Sequence, residues 1–257
     1  MLTPPEIARS LLAAGESKAR LPFGKMLLLA ILAGAYIALA GVGATVAAVT
    51  VESGSLAKLL SACVFPAGLS MVILAGSELF TGNCLMVMAL LERRITPAHL
   101  LRNWLTVYLG NAMGGAAVAA LAVYSHTASL FGDGLARSMV SIAESKAALG
   151  AGDAFLRGVL CNFLVCLAVW MAAASKRAEG KVIALFFPIL LFVLCGYEHC
   201  IANLYYLPAG AFAAAEYGME TTLTLAGCLK NLAAVTLGNL VGGAALGVGY
   251  RFAYLKE

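Results

Sequence analysis

Apolar residues run along this chain in long uninterrupted stretches, at 26–50, 59–91, 100–124, 154–174, 182–215 and 222–250, and the charged residues gather between them. Each stretch reaches the ~20 residues that a helix needs to cross a bilayer. None alternates with the period of two that a barrel strand would show. The pattern predicts an all-α integral membrane protein with six transmembrane helices. The stretches at 59–91 and 182–215 are longer than one crossing requires, and each carries polar residues past its middle. An unwound segment is tolerated at that depth only where protein or a water-filled cavity receives the freed backbone groups. Spans two and five are therefore expected to be broken.

Composition agrees with the pattern: 62% hydrophobic and 12% charged residues cannot cover a soluble fold with a polar surface. The lipid bilayer is thus the first partner of the chain. Residues 1–25 set Arg9, Lys18, Arg20 and Lys25 among Ile7, Leu11, Leu12 and Leu21, with Pro4 and Pro5 placed to start a helix. They read as a cytoplasmic amphipathic helix rather than a cleaved signal. With the N-terminus inside, only Lys58, Arg137, Lys146, Arg157 and Lys230 of the 17 basic residues fall outside. That bias puts both termini in the cytoplasm and the chain in the inner membrane. The net charge of +4 then reflects topology, and nucleic acid is not an expected partner.

Two motifs recur in the same order. GSELFTGN (Gly76 to Asn83) returns as GYEHCIAN (Gly196 to Asn203), and GNAMGGA (Gly110 to Ala116) returns as GNLVGGA (Gly238 to Ala244), with offsets of 120 and 128 residues. Three spans per half is an odd number, so the second half runs upside down relative to the first. An inverted 3+3 repeat is an architecture of channels and secondary transporters. The expected divisions are the N-terminal helix (1–25), a first repeat (26–124), an extracellular connector (125–153), a second repeat (154–250) and a cytoplasmic tail (251–257). Gly110, Gly114, Gly115, Gly238, Gly242 and Gly243 read as close helix contacts, with Asn111 and Asn239 bonding across them.

The paired carboxylates need a reason to lie at membrane depth. Glu78, Asn83, Glu198 and Asn203 read as braces that tie off the backbone freed at the two breaks, in preference to a proton path. Thr81 and His199 differ between the copies and carry the chemistry: a hydroxyl donates to an anion, and a histidine changes charge near neutrality. The seven cysteines lie in or beside apolar spans and read as free, packed thiols. Cys195, His199 and Cys200 lack a second cluster to complete a metal site, so neither metal nor cofactor is expected. An embedded enzyme would need a nucleophile with a positioned base, and Ser77 beside Glu78 has none. A structural or receptor-like protein would need a soluble domain or a long tail. A channel or transporter is the first reading, with an embedded enzyme and a structural membrane protein as the alternatives from other classes.

LFTGN, CNFLVCLAVW (Cys161 to Trp170) and GYEHCIAN together resemble the formate/nitrite transporter family over about residues 5–250. The resemblance implies an aquaporin-like six-helix fold and a homopentamer with a pore in each protomer. It implies pore residues at His199, Thr81 and Asn162, and an outer-vestibule lysine at Lys146. An outer constriction is implied at Phe65, Leu69 and Phe192, and an inner one at Leu79, Phe80 and Val165. Lys146 is expected to attract a small monovalent anion, and Thr81, Asn162 and His199 to hydrogen-bond it while a proton neutralises it. Formate is the first expectation, from Arg93 to Asn111, which resembles formate-type members; nitrite and hydrosulfide are the alternatives.

Overall fold

The computed structural model describes residues 1–255, and every regular element among them is helical. Lys256 and Glu257 lie outside the described residues, and so does the end of the expected tail. In the first half, α1 (Pro4–Ala19) and α2 (Phe23–Ala48) precede α3 (Gly54–Val64) and α4 (Pro66–Ala75), which run up to a break. Beyond it come α5 (Phe80–Asn83), a 3-10 turn (Cys84–Met86), α6 (Val87–Leu91) and α7 (Pro97–Tyr124). The second half contains α8 (Gly134–Ala148), α9 (Ala151–Ala173), α10 (Ala178–Leu194), a second break, α11 (Cys200–Glu216) and α12 (Leu225–Tyr254).

Among the described residues, five helical stretches, 23–48, 54–75, 97–124, 151–173 and 225–254, are long and apolar enough to cross a membrane. α10 and α11, of 17 residues each, fall short singly and meet at the second break. Two boundaries differ from those expected. The connector is largely helical: Leu135, Met139 and Ala143 of α8 are buried, with Tyr205, Leu207 and Ala209 of α11 in the same clusters. The expected tail begins inside a helix, because α12 continues to Tyr254.

α1 starts with a capping box in which Glu6 accepts the Thr3 N–H at 2.7 Å. Its Ile7 and Ala8 are buried with Met88, Trp170 and Ala174, and the Leu2 N–H reaches the Ala174 carbonyl. Trp170 packs on Tyr250 of α12, with ring centroids 4.0 Å apart. Both ends of the described chain therefore share one face, here the terminal face. The connector face, bearing α8, lies opposite.

The repeat is visible in the packing. α2 crosses α7 where a Cβ on Gly114 would strike the Ile31 carbonyl, and α9 crosses α12 where one on Gly242 would strike the Val159 carbonyl. Only glycine admits the backbones so closely. Each break begins at a left-handed glycine, Gly76 (φ 79°) or Gly196 (φ 70°), which turns the chain out of the helix.

Candidate functional site

The two breaks are held by matching sets of bonds. Asn111 Oδ1 accepts the Phe80 N–H at 3.0 Å, and its Nδ2 donates to the carbonyls of Glu78 and Ala30. Asn239 Oδ1 accepts the Cys200 N–H at 2.9 Å, and its Nδ2 donates to the carbonyls of Glu198 and Gly158. The Glu78 N–H goes to the Leu29 carbonyl and the Glu198 N–H to that of Arg157. Backbone groups that helix would have satisfied thus find partners inside the protein. Asn111 and Asn239 were expected to bridge helices, and they also clamp the breaks.

Each carboxylate sits in a matching box. Glu78 accepts from Lys18 Nζ at 2.7 Å and from Asn83 Nδ2 at 2.8 Å, and Asn83 Nδ2 also reaches Asn103 Oδ1. Glu198 accepts from Lys146 Nζ at 2.9 and 3.0 Å and from Asn203 Nδ2 at 2.7 Å, and Asn203 Nδ2 also reaches Asn231 Oδ1. Glu78, Asn83, Glu198 and Asn203 were expected to tie off the freed backbone, but their side chains bond one another, a lysine and a further asparagine, and Asn111 and Asn239 hold the backbone instead. Lys146, which the resemblance implied as a vestibule lysine that attracts the anion, is bound to a carboxylate. Lys18, Asn103 and Asn231 were missed, although their spacing announces them: Lys18 and Lys146, Asn103 and Asn231, and Asn111 and Asn239 are all 128 residues apart. The boxes differ in how the lysine is used: Lys18 divides its bonds between Glu78 Oε1 and Asn83 Oδ1, whereas Lys146 donates to both oxygens of Glu198 and leaves Asn203 Oδ1 with no partner among the described residues.

Between the boxes, Thr81 Oγ1 and His199 Nε2 lie 3.0 Å apart, and both residues are buried. His199 is the N-cap of α11, its Nδ1 accepting the Ala202 N–H at 3.0 Å. A nitrogen that accepts carries no proton, so in this arrangement the ring proton is on Nε2 and is donated to Thr81. The Thr81 hydroxyl keeps its own proton to offer onward. Asn162 lies beside this pair. Its Nδ2 donates to the Asn239 carbonyl at 2.7 Å and to the Thr81 carbonyl at 3.3 Å, and Cys166 Sγ donates to that same Thr81 carbonyl. Asn162 holds the threonine backbone, and its amide protons are engaged.

Two cavities approach this pair from opposite faces, and no residue lines both. The connector-face cavity, ≈ 500 Å³, is walled by Lys146, Glu198 and His199 and reaches Phe65 and Phe192. Those rings meet edge to face at 5.7 Å, and Phe192 stacks on His199 at 5.8 Å. The terminal-face cavity, ≈ 280 Å³, is lined by Lys18, Glu78, Leu69 and Leu79. Leu69, expected beside Phe65 and Phe192, lines this inner cavity, because a helical turn along α4 carries it about 6 Å toward the break. Phe80 packs edge to face on Trp104 and Tyr108, and Val165 lies in the buried core; neither of these expected inner residues is among those lining the two cavities.

Residues 5–253 match the family model described as formate/nitrite transporter. The chain belongs to the formate/nitrite transporter family. Its relatives within that family include a probable formate transporter of Methanothermobacter thermautotrophicus, 38% identical over 99% of this chain and 98% of that protein. The formate channel FocA of Haemophilus influenzae is 38% identical over 86% of this chain and 83% of its own length. Solved structures agree. A pentameric formate channel with formate bound superposes with a TM-score of 0.81 at 33% identity, covering 91% of this chain and 98% of that one. An ion channel of the same family reaches 0.86 at 32% identity, covering 96% and 98%. The relatives are named as transporters and channels, so the family's work is transport rather than catalysis.

Proposed function

We propose that this protein conducts the small monovalent anions of weak acids, formate first, through a pore in each protomer of a homopentamer. The basic residues gathered on the terminal face support a cytoplasmic placement of that face and residence in the cytoplasmic membrane. The observation that carries the reading is the Thr81–His199 pair, buried between two cavities that open on opposite faces.

An anion entering from the connector face leaves water at the Phe65–Phe192 edge. Carrying a bare charge across that edge costs several kcal/mol, and the neutral acid crosses for far less, so permeation is linked to a proton. Thr81 then supplies an O–H donor whose own oxygen is polarised by His199. His199 works in the neutral form, because protonating Nδ1 would break the cap on Ala202. Formate is favoured over nitrite and hydrosulfide by the formate-named relatives and by the bound formate of the 33% identical pentamer. Uptake into proteoliposomes, compared for the three acids at several pH values, tests the proposal. Formate uptake is expected to be the fastest and to rise as pH falls. A preference for another anion overturns the substrate, and no uptake of any overturns the transport reading.

A further inference from the structure

The connector-face cavity holds more positive charge than its ion pair accounts for. Three cations line it, Lys58, Lys146 and Arg157, against one carboxylate, Glu198. Lys146 is bonded to Glu198, and neither Lys58 nor Arg157 has an ion-pair partner among the described residues. A surplus of two cations remains. Both border the second break: Lys58 Nζ lies 4.0 Å from where a Cβ on Gly196 would stand, and the Arg157 carbonyl receives the Glu198 N–H at 3.3 Å. Ser61 and Ser145 add hydroxyls to the same wall. The terminal-face cavity has no such surplus, since its charged lining residues are Lys18 and Glu78, bonded to each other.

We propose that this vestibule binds divalent oxyanions, small dicarboxylates in particular, and that a bound dianion blocks the pore. The inference rests on the anion-conducting reading of the same site and adds a ligand class to it. Attraction scales with the product of the charges, so two uncompensated cations favour a dianion over formate. The cavity, at ≈ 500 Å³, has room for an ion the size of oxalate. Its exit is the Phe65–Phe192 edge, where a dianion must shed two charges in place of one. The ion is held and does not pass.

The experiment uses the intact purified protein and oxalate as the probe. Calorimetric titration in detergent at low ionic strength measures binding without requiring flux, and swelling of proteoliposomes in ammonium formate, with and without oxalate, measures block. Wild type is expected to bind oxalate and to be slowed by it. The Lys58→Gln/Arg157→Gln variant is expected to bind about tenfold more weakly or worse and to escape the block, while Arg157→Lys retains both because it retains the charge. Equal binding by wild type and the double variant, no binding by wild type, or entry of oxalate into the liposomes would each overturn the proposal. Oxalate binding that depends on Lys58 and Arg157 in a protein without formate flux would support this site and contradict the transport reading.

Discussion

Lys18 and Lys146 occupy the same position in two inverted halves, each with its ammonium 2.7 to 3.0 Å from a buried glutamate at a helix break. The side chain of Lys146 is 16% exposed and that of Lys18 is 30% exposed. Removing one member of a buried pair strands the other, at about 3–5 kcal/mol. Lys146→Ala should therefore lower thermal stability strongly, and Lys18→Ala less, because more water reaches its pair. Uptake by Lys146→Ala should fall by a similar factor at every ionic strength. A loss confined to low salt would mean that Lys146 acts as a free attractor.

Glycine at the helix crossings gives a paired prediction. Gly114→Ala and Gly242→Ala each drive a Cβ into a backbone carbonyl that cannot move aside, and each should cost about 1–3 kcal/mol in the unfolding of the purified protein. Gly249→Ala meets nothing within 4 Å and should change stability by no more than about 0.5 kcal/mol. Equal effects at all three positions would remove the packing argument.

His199 has two duties that substitutions can separate. Asparagine is a good N-cap, so His199→Asn should keep the Ala202 amide protected from exchange while losing the donor to Thr81. His199→Phe should lose both. Formate flux is expected to drop about fivefold or more in each, the loss of one neutral hydrogen bond of about 1 kcal/mol. Wild-type, pH-dependent flux in His199→Phe would refute the assignment.

On the connector face, Glu144 accepts from the Thr222 backbone N–H and from the Thr221 and Thr222 hydroxyls, and these bonds hold its carboxyl below the usual range, the backbone bond most of all. A depressed carboxyl pKa contributes stability above the unfolded value and loses it as pH falls through the folded one. Amide exchange at Thr222 should therefore stay slow at neutral pH and accelerate only in acid below the ordinary carboxylate range. Glu144→Gln should speed it at neutral pH. Unchanged exchange in that variant would show that the bonds do not hold the segment.

Much of this architecture was legible in the chain. Long apolar runs gave the helices, the doubled Gly-x-Glu-x4-Asn gave both breaks, and the glycine motifs gave the crossings. Lys18, Asn103 and Asn231 stayed hidden because each is one polar residue on a helix remote in sequence from its break, and only the shared 128-residue spacing ties them together. The cap made by His199 was equally hidden, since it depends on where α11 begins. The bonds of Asn162 were hidden for a related reason: its partners are backbone carbonyls, which carry no side-chain signature.

Formate passes between the two cavities by way of the Thr81 hydroxyl. Swelling of proteoliposomes in ammonium formate, measured for wild type, Thr81→Ser and Thr81→Val, isolates that hydroxyl, because valine keeps the shape of threonine and removes only the O–H. Flux close to wild type is expected for Thr81→Ser and at least about a tenfold loss for Thr81→Val; equal flux in all three would remove Thr81 from the path.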